Sequence, residues 1–260
     1  MATASEFVVD VRFGAGLTSA QRAAFATAAQ RWSQVIAADV PAVVVDGETV
    51  DDVVIDADGV AIDGPAGILG QSGPTQLRPG SFLPAAGVMS FDSADLGQME
   101  TDGSLVNVIV HEMGHVLGFG SIWEQLGLIQ GAGGSDPTFS GAAAMREYAA
   151  LTGASATRPV PLANVGGPGT RDAHWREEVF GNELMTGFLD QGPNPLSRLT
   201  IAAFQDMGYE VDMSAADAFA LPTAAEPARL KVASRELHAD GGGATMLRPP
   251  QTVLPPDALV

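Results

Sequence analysis

Near the N-terminus the hydrophobic pattern changes from a strand period to a helical one. Residues 6–13, EFVVDVRF, alternate between apolar and polar side chains, which predicts a half-buried strand. Residues 18–37, TSAQRAAFATAAQRWSQVIA, follow with Thr18 or Ser19 as a candidate N-cap. In this second stretch the apolar side chains recur at helical spacing, at Phe25, Ala29, Trp32, Val35 and Ile36.

Further strand-like runs separate this helix from a second, more hydrophobic one. Glycine and proline divide the runs, which lie at residues 41–45, 50–62, 66–72 and 87–91. Residues 104–117, SLVNVIVHEMGHVL, are apolar almost all round, so we expect a buried helix. Gly118 suits the left-handed residue that ends a helix. This order of elements predicts an α+β fold in which helices pack on a mixed sheet.

After the buried helix the chain becomes rich in glycine, proline and short polar runs. Helical spacing returns near residues 141–152 and 197–207. From residue 223 to residue 260 the composition changes again and ends in DGGGATMLRPPQTVLPPDALV, which predicts a flexible C-terminal tail. We therefore assign residues 1–222 to one folded unit and residues 223–260 to the tail.

Charge and composition exclude several classes of function. The 260 residues carry a formal net charge of -18, which would repel nucleic acid and anionic lipid. The chain has no cysteine, so disulfides, thiolate ligands and a cysteine-based latency switch are excluded. No apolar run reaches the roughly 20 residues of a membrane-spanning helix. The first residues, MATASEFVVDVRF, do not have the pattern of a signal peptide.

The buried helix carries the residues of a zinc site. His111 and His115 are four positions apart, so both imidazoles lie on one helix face and can bind the same metal ion. Glu112 lies beside them and can accept a proton from an attacking water and return it to a leaving amine. The competing interpretation is a buried helix with two incidental histidines. Burial of the Glu112 charge without a partner would be costly, which favours a catalytic zinc ion.

Two histidines leave the third zinc ligand open. One class of zinc peptidases places it where this chain has Ser121. Of the remaining histidines, His238 lies in the predicted tail and is most simply a solvated side chain. His174, in DAHWREEVFGNELMTGF, could equally be a ligand or an ordinary packed residue. A glutamate ligand, as in gluzincin peptidases, is the rival, with candidates Glu147, Glu177 and Glu178.

HEMGHVLGFG followed at a distance by HWREEVFGNELMTG resembles the leishmanolysin-type zinc peptidases, a branch of the metzincins. The resemblance implies that His174 is a displaced third ligand, Met185 the methionine turn and Gly118 the turn after the helix. The segments GILGQSGPTQLR and LSRLTIAAFQDMGYEVD also resemble segments of bacterial members of this family. The implied fold is a metzincin-like zincin with a twisted mixed sheet and zinc helix in an upper subdomain, about 1–118, and a loop-rich lower subdomain, about 119–222. The disulfide framework and membrane anchor of protozoan relatives are not carried over, because the chain has neither feature.

Metzincins hold an extended peptide antiparallel to an edge strand. By chain order the candidates for this contact are Gly67, Ile68, Leu69 and Gly70, and an interior strand is the alternative. Asp56 and Asp58 weakly resemble a calcium loop but lack its 12-residue ligand pattern, so calcium stays unsupported and a solvated strand face is the simpler interpretation.

These observations predict a secreted, monomeric endopeptidase with one catalytic zinc ion and protein or peptide substrates. Zinc bound by His111, His115 and His174 would activate the water for which Glu112 acts as general base. The alternatives are a peptidase with a glutamate third ligand, or a non-catalytic binding or adhesion module on a zinc scaffold.

Overall fold

A computed structural model describes residues 7–65, 68–167, 169–189, 192–222, 235–236 and 251–260. Its strands, in chain order, are β1 Val9–Phe13, β2 Val43–Val45, β3 Glu48–Val50, β4 Val53–Val60, β5 Gly70–Leu77, β6 Pro84–Asp92, β7 Ile129–Gln130, β8 Thr138–Phe139, β9 Val160–Pro161, β10 Phe188–Leu189, β11 Arg235–Glu236 and β12 Thr252–Val253. The helices are α1 Ser19–Val35, α2 Leu96–Asp102, α3 Leu105–Val116, α4 Ala142–Thr152, α5 Glu177–Phe180 and α6 Arg198–Met207.

The main sheet has five strands in the order β1-β4-β6-β5-β12. Strands β1, β4 and β6 are parallel, β5 runs antiparallel to β6, and β12 runs parallel to β5. This arrangement confirms the predicted α+β fold with a mixed sheet, consistent with a metzincin-like peptidase. The acidic stretch around Asp56 and Asp58 forms β4, in which Asp56 is exposed.

Helix α1 begins where the sequence predicts. Thr18 is the N-cap: its hydroxyl accepts a hydrogen bond from the Gln21 N–H, and the Gln21 side chain accepts one from the Thr18 N–H. This reciprocal pair satisfies two of the N–H groups that a helix start leaves open. At the other end, the fully buried Trp32 donates its indole N–H to the Val110 carbonyl, 3.0 Å away. Helix α1 is thereby attached to α3.

The region after α3 contributes a cluster of aromatic rings to the main hydrophobic core. Trp175 lies at its centre, with Phe119 and Phe139 packed edge-to-face against it at centroid distances of 5.1 and 5.7 Å. Trp123 packs beside all three rings. Edge-to-face packing of buried aromatic rings stabilises beyond the burial of their apolar area. Since Trp175 directly follows His174, this core holds the segment that carries the third histidine.

Residues 251–260 do not form the flexible tail predicted for them. Thr252 pairs with Gln76 and Val253 with Leu77, so β12 extends the main sheet beyond β5. The Val260 N–H then donates to the Ala42 carbonyl, and Ala258 is buried. A strand of two residues, followed closely by two prolines, leaves no periodic signal in the sequence, which explains the error. Of the rest of the predicted tail, only Arg235–Glu236 is described, as β11 paired with β10.

Within the part of the chain that the structure describes, none of the helices combines the length and hydrophobicity needed to cross a bilayer.

Candidate metal centre and active site

Three histidine side chains converge at the C-terminal half of α3. The Nε2 atoms of His111 and His115 are 3.0 Å apart, and His174 Nε2 lies 3.1 Å from the first and 2.9 Å from the second. All three side chains are buried. Two nitrogens bound to one tetrahedral zinc ion lie roughly 3.3 Å apart. The observed spacing is close to that value, so the three residues could hold one metal ion.

Backbone carbonyls set the tautomer of each ring. His111 Nδ1 lies 2.7 Å from the Leu184 oxygen, His115 Nδ1 2.8 Å from the Phe119 oxygen and His174 Nδ1 3.0 Å from the Thr170 oxygen. A carbonyl can only accept, so each Nδ1 carries the hydrogen and each Nε2 presents a lone pair. Three lone pairs facing one another at about 3 Å repel unless a cation lies between them. The donor set therefore fits a metal ion, with the outer hydrogen bonds that histidine ligands usually have.

The turn after α3 brings the third histidine to the other two. Gly118 has φ +115°, the left-handed region predicted for it. Gly120, for which no role was predicted, has φ +70°. A Cβ atom on Gly120 would lie 2.2 Å from the carbonyl oxygen of Ala173, the residue before His174. Only glycine permits this close approach of the two segments, and the second glycine of GFG was the signal available in the sequence.

Met185 packs against the helix between the two histidine positions. Its Sδ and Cε would lie 3.2 and 3.1 Å from a Cβ atom on Gly114, and its side chain is fully buried. The Met185 carbonyl accepts a hydrogen bond from the Trp175 N–H at 3.0 Å. Met185 thus supports both α3 and the segment that carries His174.

Glu112 is fully buried beside the histidines and contacts β5. The Ser72 hydroxyl lies 2.6 Å from Glu112 Oε2 and 2.9 Å from the Glu112 carbonyl oxygen. A Cβ atom on Gly70 would lie 3.5 Å from Glu112 Cγ. The start of β5 therefore covers the carboxylate, and Ser72 orients it. Ser72 could not be identified from the sequence, because it lies 40 residues from its partner.

Comparison with known proteins identifies the family. The family model for leishmanolysin, peptidase M8, matches residues 39–228, well over half of the chain. The chain belongs to the leishmanolysin family. A leishmanolysin homolog of Crithidia fasciculata is 28% identical over 133 residues, which cover 48% of this chain and 20% of that protein. The leishmanolysin of Leishmania donovani is 28% identical over 142 residues, covering 52% and 24%.

The chain therefore matches about a quarter or less of the length of these curated leishmanolysins. The relatives come from Crithidia and Leishmania, so the likeness to bacterial members stays a prediction. The buried histidine triad agrees with a leishmanolysin-type metal site.

The other candidate ligands of this leishmanolysin-family chain lie apart from the triad. Glu147 lies on α4 and forms an ion pair with Arg198 of α6, in which a Glu147 carboxylate oxygen is 3.0 Å from Arg198 Nε. Glu177 and Glu178 form the first turn of α5. Among the described residues, the ligand group that contains His111 and His115 includes His174 and none of these glutamates. His238 lies outside the described residues.

Ser121, at the position where other zinc peptidases have their third histidine, donates its hydroxyl to the His115 carbonyl at 2.7 Å. Of the candidate substrate-binding residues, Gly67 lies outside the described residues. Ile68 and Leu69 are buried, with 1% and 0% of their surface exposed, so their side chains belong to the core. Gly70 is the first residue of β5 and lies next to Glu112.

Proposed function

We propose that this chain is a zinc-dependent endopeptidase in which His111, His115 and His174 hold the metal ion. The convergence of three Nε2 lone pairs at 2.9 to 3.1 Å beside a buried glutamate is the observation that carries the proposal. Three neutral imidazoles leave a fourth tetrahedral position for water, which is the arrangement of catalytic rather than structural zinc. Membership of the leishmanolysin family supports the same reaction class.

In this proposal Glu112 is the general base and the subsequent proton donor. A bound zinc ion would lower the pKa of a coordinated water and polarise the scissile carbonyl. Glu112 accepts the proton of the attacking water and returns it to the departing amine nitrogen. Ser72 holds Oε2 of Glu112 at 2.6 Å, which limits the rotation of the carboxylate. Gly118 and Met185 act only as supports for the histidines.

The substrate would be a protein or peptide bound in an extended conformation along β5. Strand β5 starts next to Glu112, and β12 pairs only with its far end, at Gln76 and Leu77. Gly70 is buried, so main-chain pairing would begin at the half-buried Gln71 and Ser72 that follow it, which would bring a scissile bond close to the carboxylate. The buried side chains of Ile68 and Leu69 would then stabilise the strand rather than contact the peptide. We also propose a secreted monomer, which rests on the family resemblance alone.

Cleavage of denatured casein tests this function. We expect the zinc-loaded protein to degrade casein, to lose this activity in excess 1,10-phenanthroline, and to regain it when zinc is restored after removal of the chelator. The physical reason is that the proposed nucleophile requires the metal. Zinc binding without any cleavage of protein or peptide substrates would instead support the binding or adhesion module.

A further inference from the structure

Glu183 is a fully buried carboxylate with four hydrogen-bond donors around it. Its Oε2 accepts from the Met185 N–H at 2.6 Å. Its Oε1 accepts from the Ser197 N–H at 3.1 Å, from the Ser197 hydroxyl at 2.6 Å and from the Thr200 hydroxyl at 2.5 Å. Burial raises the pKa of this carboxyl, and the hydrogen bonds oppose the shift. A carboxylate with this many donors is held in one orientation.

The first connection runs from Glu183 to His111. Leu184 lies between Glu183 and Met185, and its carbonyl is the acceptor of the His111 Nδ1–H at 2.7 Å. Because Glu183 holds the Met185 N–H, it fixes the peptide unit of which the Leu184 carbonyl is part. The orientation of that carbonyl sets both the tautomer and the direction of the His111 ring.

The second connection runs from Thr200 to His174. The Thr200 hydroxyl donates to Glu183 and accepts the indole N–H of Trp175 at 2.8 Å. Trp175 follows His174 directly, and its backbone N–H donates to the Met185 carbonyl. One carboxylate thus organises the backbone segments behind two of the three histidines.

We propose that Glu183 is a positioning residue of the metal centre, which aims His111 and His174 at a common point through Leu184, Thr200 and Trp175. This inference rests on the function proposed above. The competing interpretation is that Glu183 only caps α6, since Ser197 is the N-cap of that helix. The two interpretations differ in whether the affinity for zinc depends on Glu183.

Glu183→Gln distinguishes them. Glutamine has nearly the same shape, but either orientation of its amide directs an NH2 group at a backbone N–H, of Met185 or of Ser197. We therefore expect the dissociation constant for zinc, measured on the folded protein by competition with a chromophoric chelator, to rise about 10- to 100-fold.

Asp206→Asn is the matched control. The Asp206 carboxylate accepts from the Ala143 and Ala144 N–H groups at 2.8 Å each, so it also caps a helix, α4, which carries none of the three histidines. We expect this variant to have a lower Tm and a zinc dissociation constant within about twofold of the parent. If both variants have a lower Tm and both bind zinc with the affinity of the parent, Glu183 is only a helix cap and the inference is wrong.

A second variant keeps the inference testable if Glu183→Gln does not fold. Thr200→Val removes the hydroxyl that joins Glu183 to Trp175 with little change of shape, and we expect a smaller rise in the zinc dissociation constant, at least about threefold. An unchanged affinity in Thr200→Val would contradict the inference.

If the parent protein itself binds no zinc, the proposed function fails, and the role of Glu183 fails with it. If the parent binds zinc and the Glu183 and Thr200 variants bind it equally well, only the role of Glu183 fails.

Discussion

Glu112→Ala is expected to keep its zinc and to lose nearly all peptidase activity, with kcat lower by about 1000-fold. The substitution removes the proposed base, whereas the three histidines remain, with each Nδ1–H still donating to its backbone carbonyl. Casein cleavage under saturating zinc gives the activity, and metal analysis of the purified protein gives the zinc content.

Glu210→Ala is the control for this experiment, because it removes an exposed carboxylate whose residue contacts the fold through its backbone carbonyl. We expect it to cleave casein at the parental rate. A zinc-loaded Glu112→Ala protein with parental activity would show that another group accepts the proton.

His174→Ala is expected to bind zinc about 1000-fold more weakly than the parent. Structural zinc sites contribute about 12 kcal/mol of binding free energy, and on that scale the loss of one of three protein ligands removes about a third, or 4 kcal/mol. Competition with a chelator of known affinity measures the change, and casein cleavage should fall in parallel at limiting zinc.

His238→Ala is the matched control, since the proposed site assigns the other three of the four histidines in the sequence to the metal ion. We expect the His238→Ala protein to bind zinc with the same affinity as the parent protein. If His174→Ala binds zinc and cleaves casein like the parent, the third ligand has been assigned wrongly, and the glutamates of α4 and α5 become the candidates.

Local patterns predicted the elements whose signal lies within one turn or one strand. The buried helix expected at residues 104–117 is α3, Leu105–Val116, because its apolar residues continue on every face. Thr18 was identifiable as an N-cap because a small hydroxyl residue directly precedes a helical repeat. The strand-like run at residues 50–62 contains β4, Val53–Val60, and it was predictable because its β-branched residues lie within one strand.

Features that depend on long-range contacts were not predictable in this way. Glu183 is separated from Ser197 and Thr200 by 14 and 17 residues, and nothing in NELMTG indicates which groups surround its carboxylate. Strand β12 forms by pairing with the end of β5, from which it is distant in the sequence. His174 lay between these extremes: spacing left it open, and the family resemblance supplied the expectation.

The proposed site requires that one zinc ion bind His111, His115 and His174 together. A crystal structure of the zinc-loaded protein, with anomalous diffraction collected on both sides of the zinc absorption edge, tests it most directly. We expect a single zinc peak about 2.0 to 2.1 Å from the Nε2 atom of each histidine. A zinc ion bound by only two of them, or with Glu147, Glu177 or Glu178 in the third position, would contradict it.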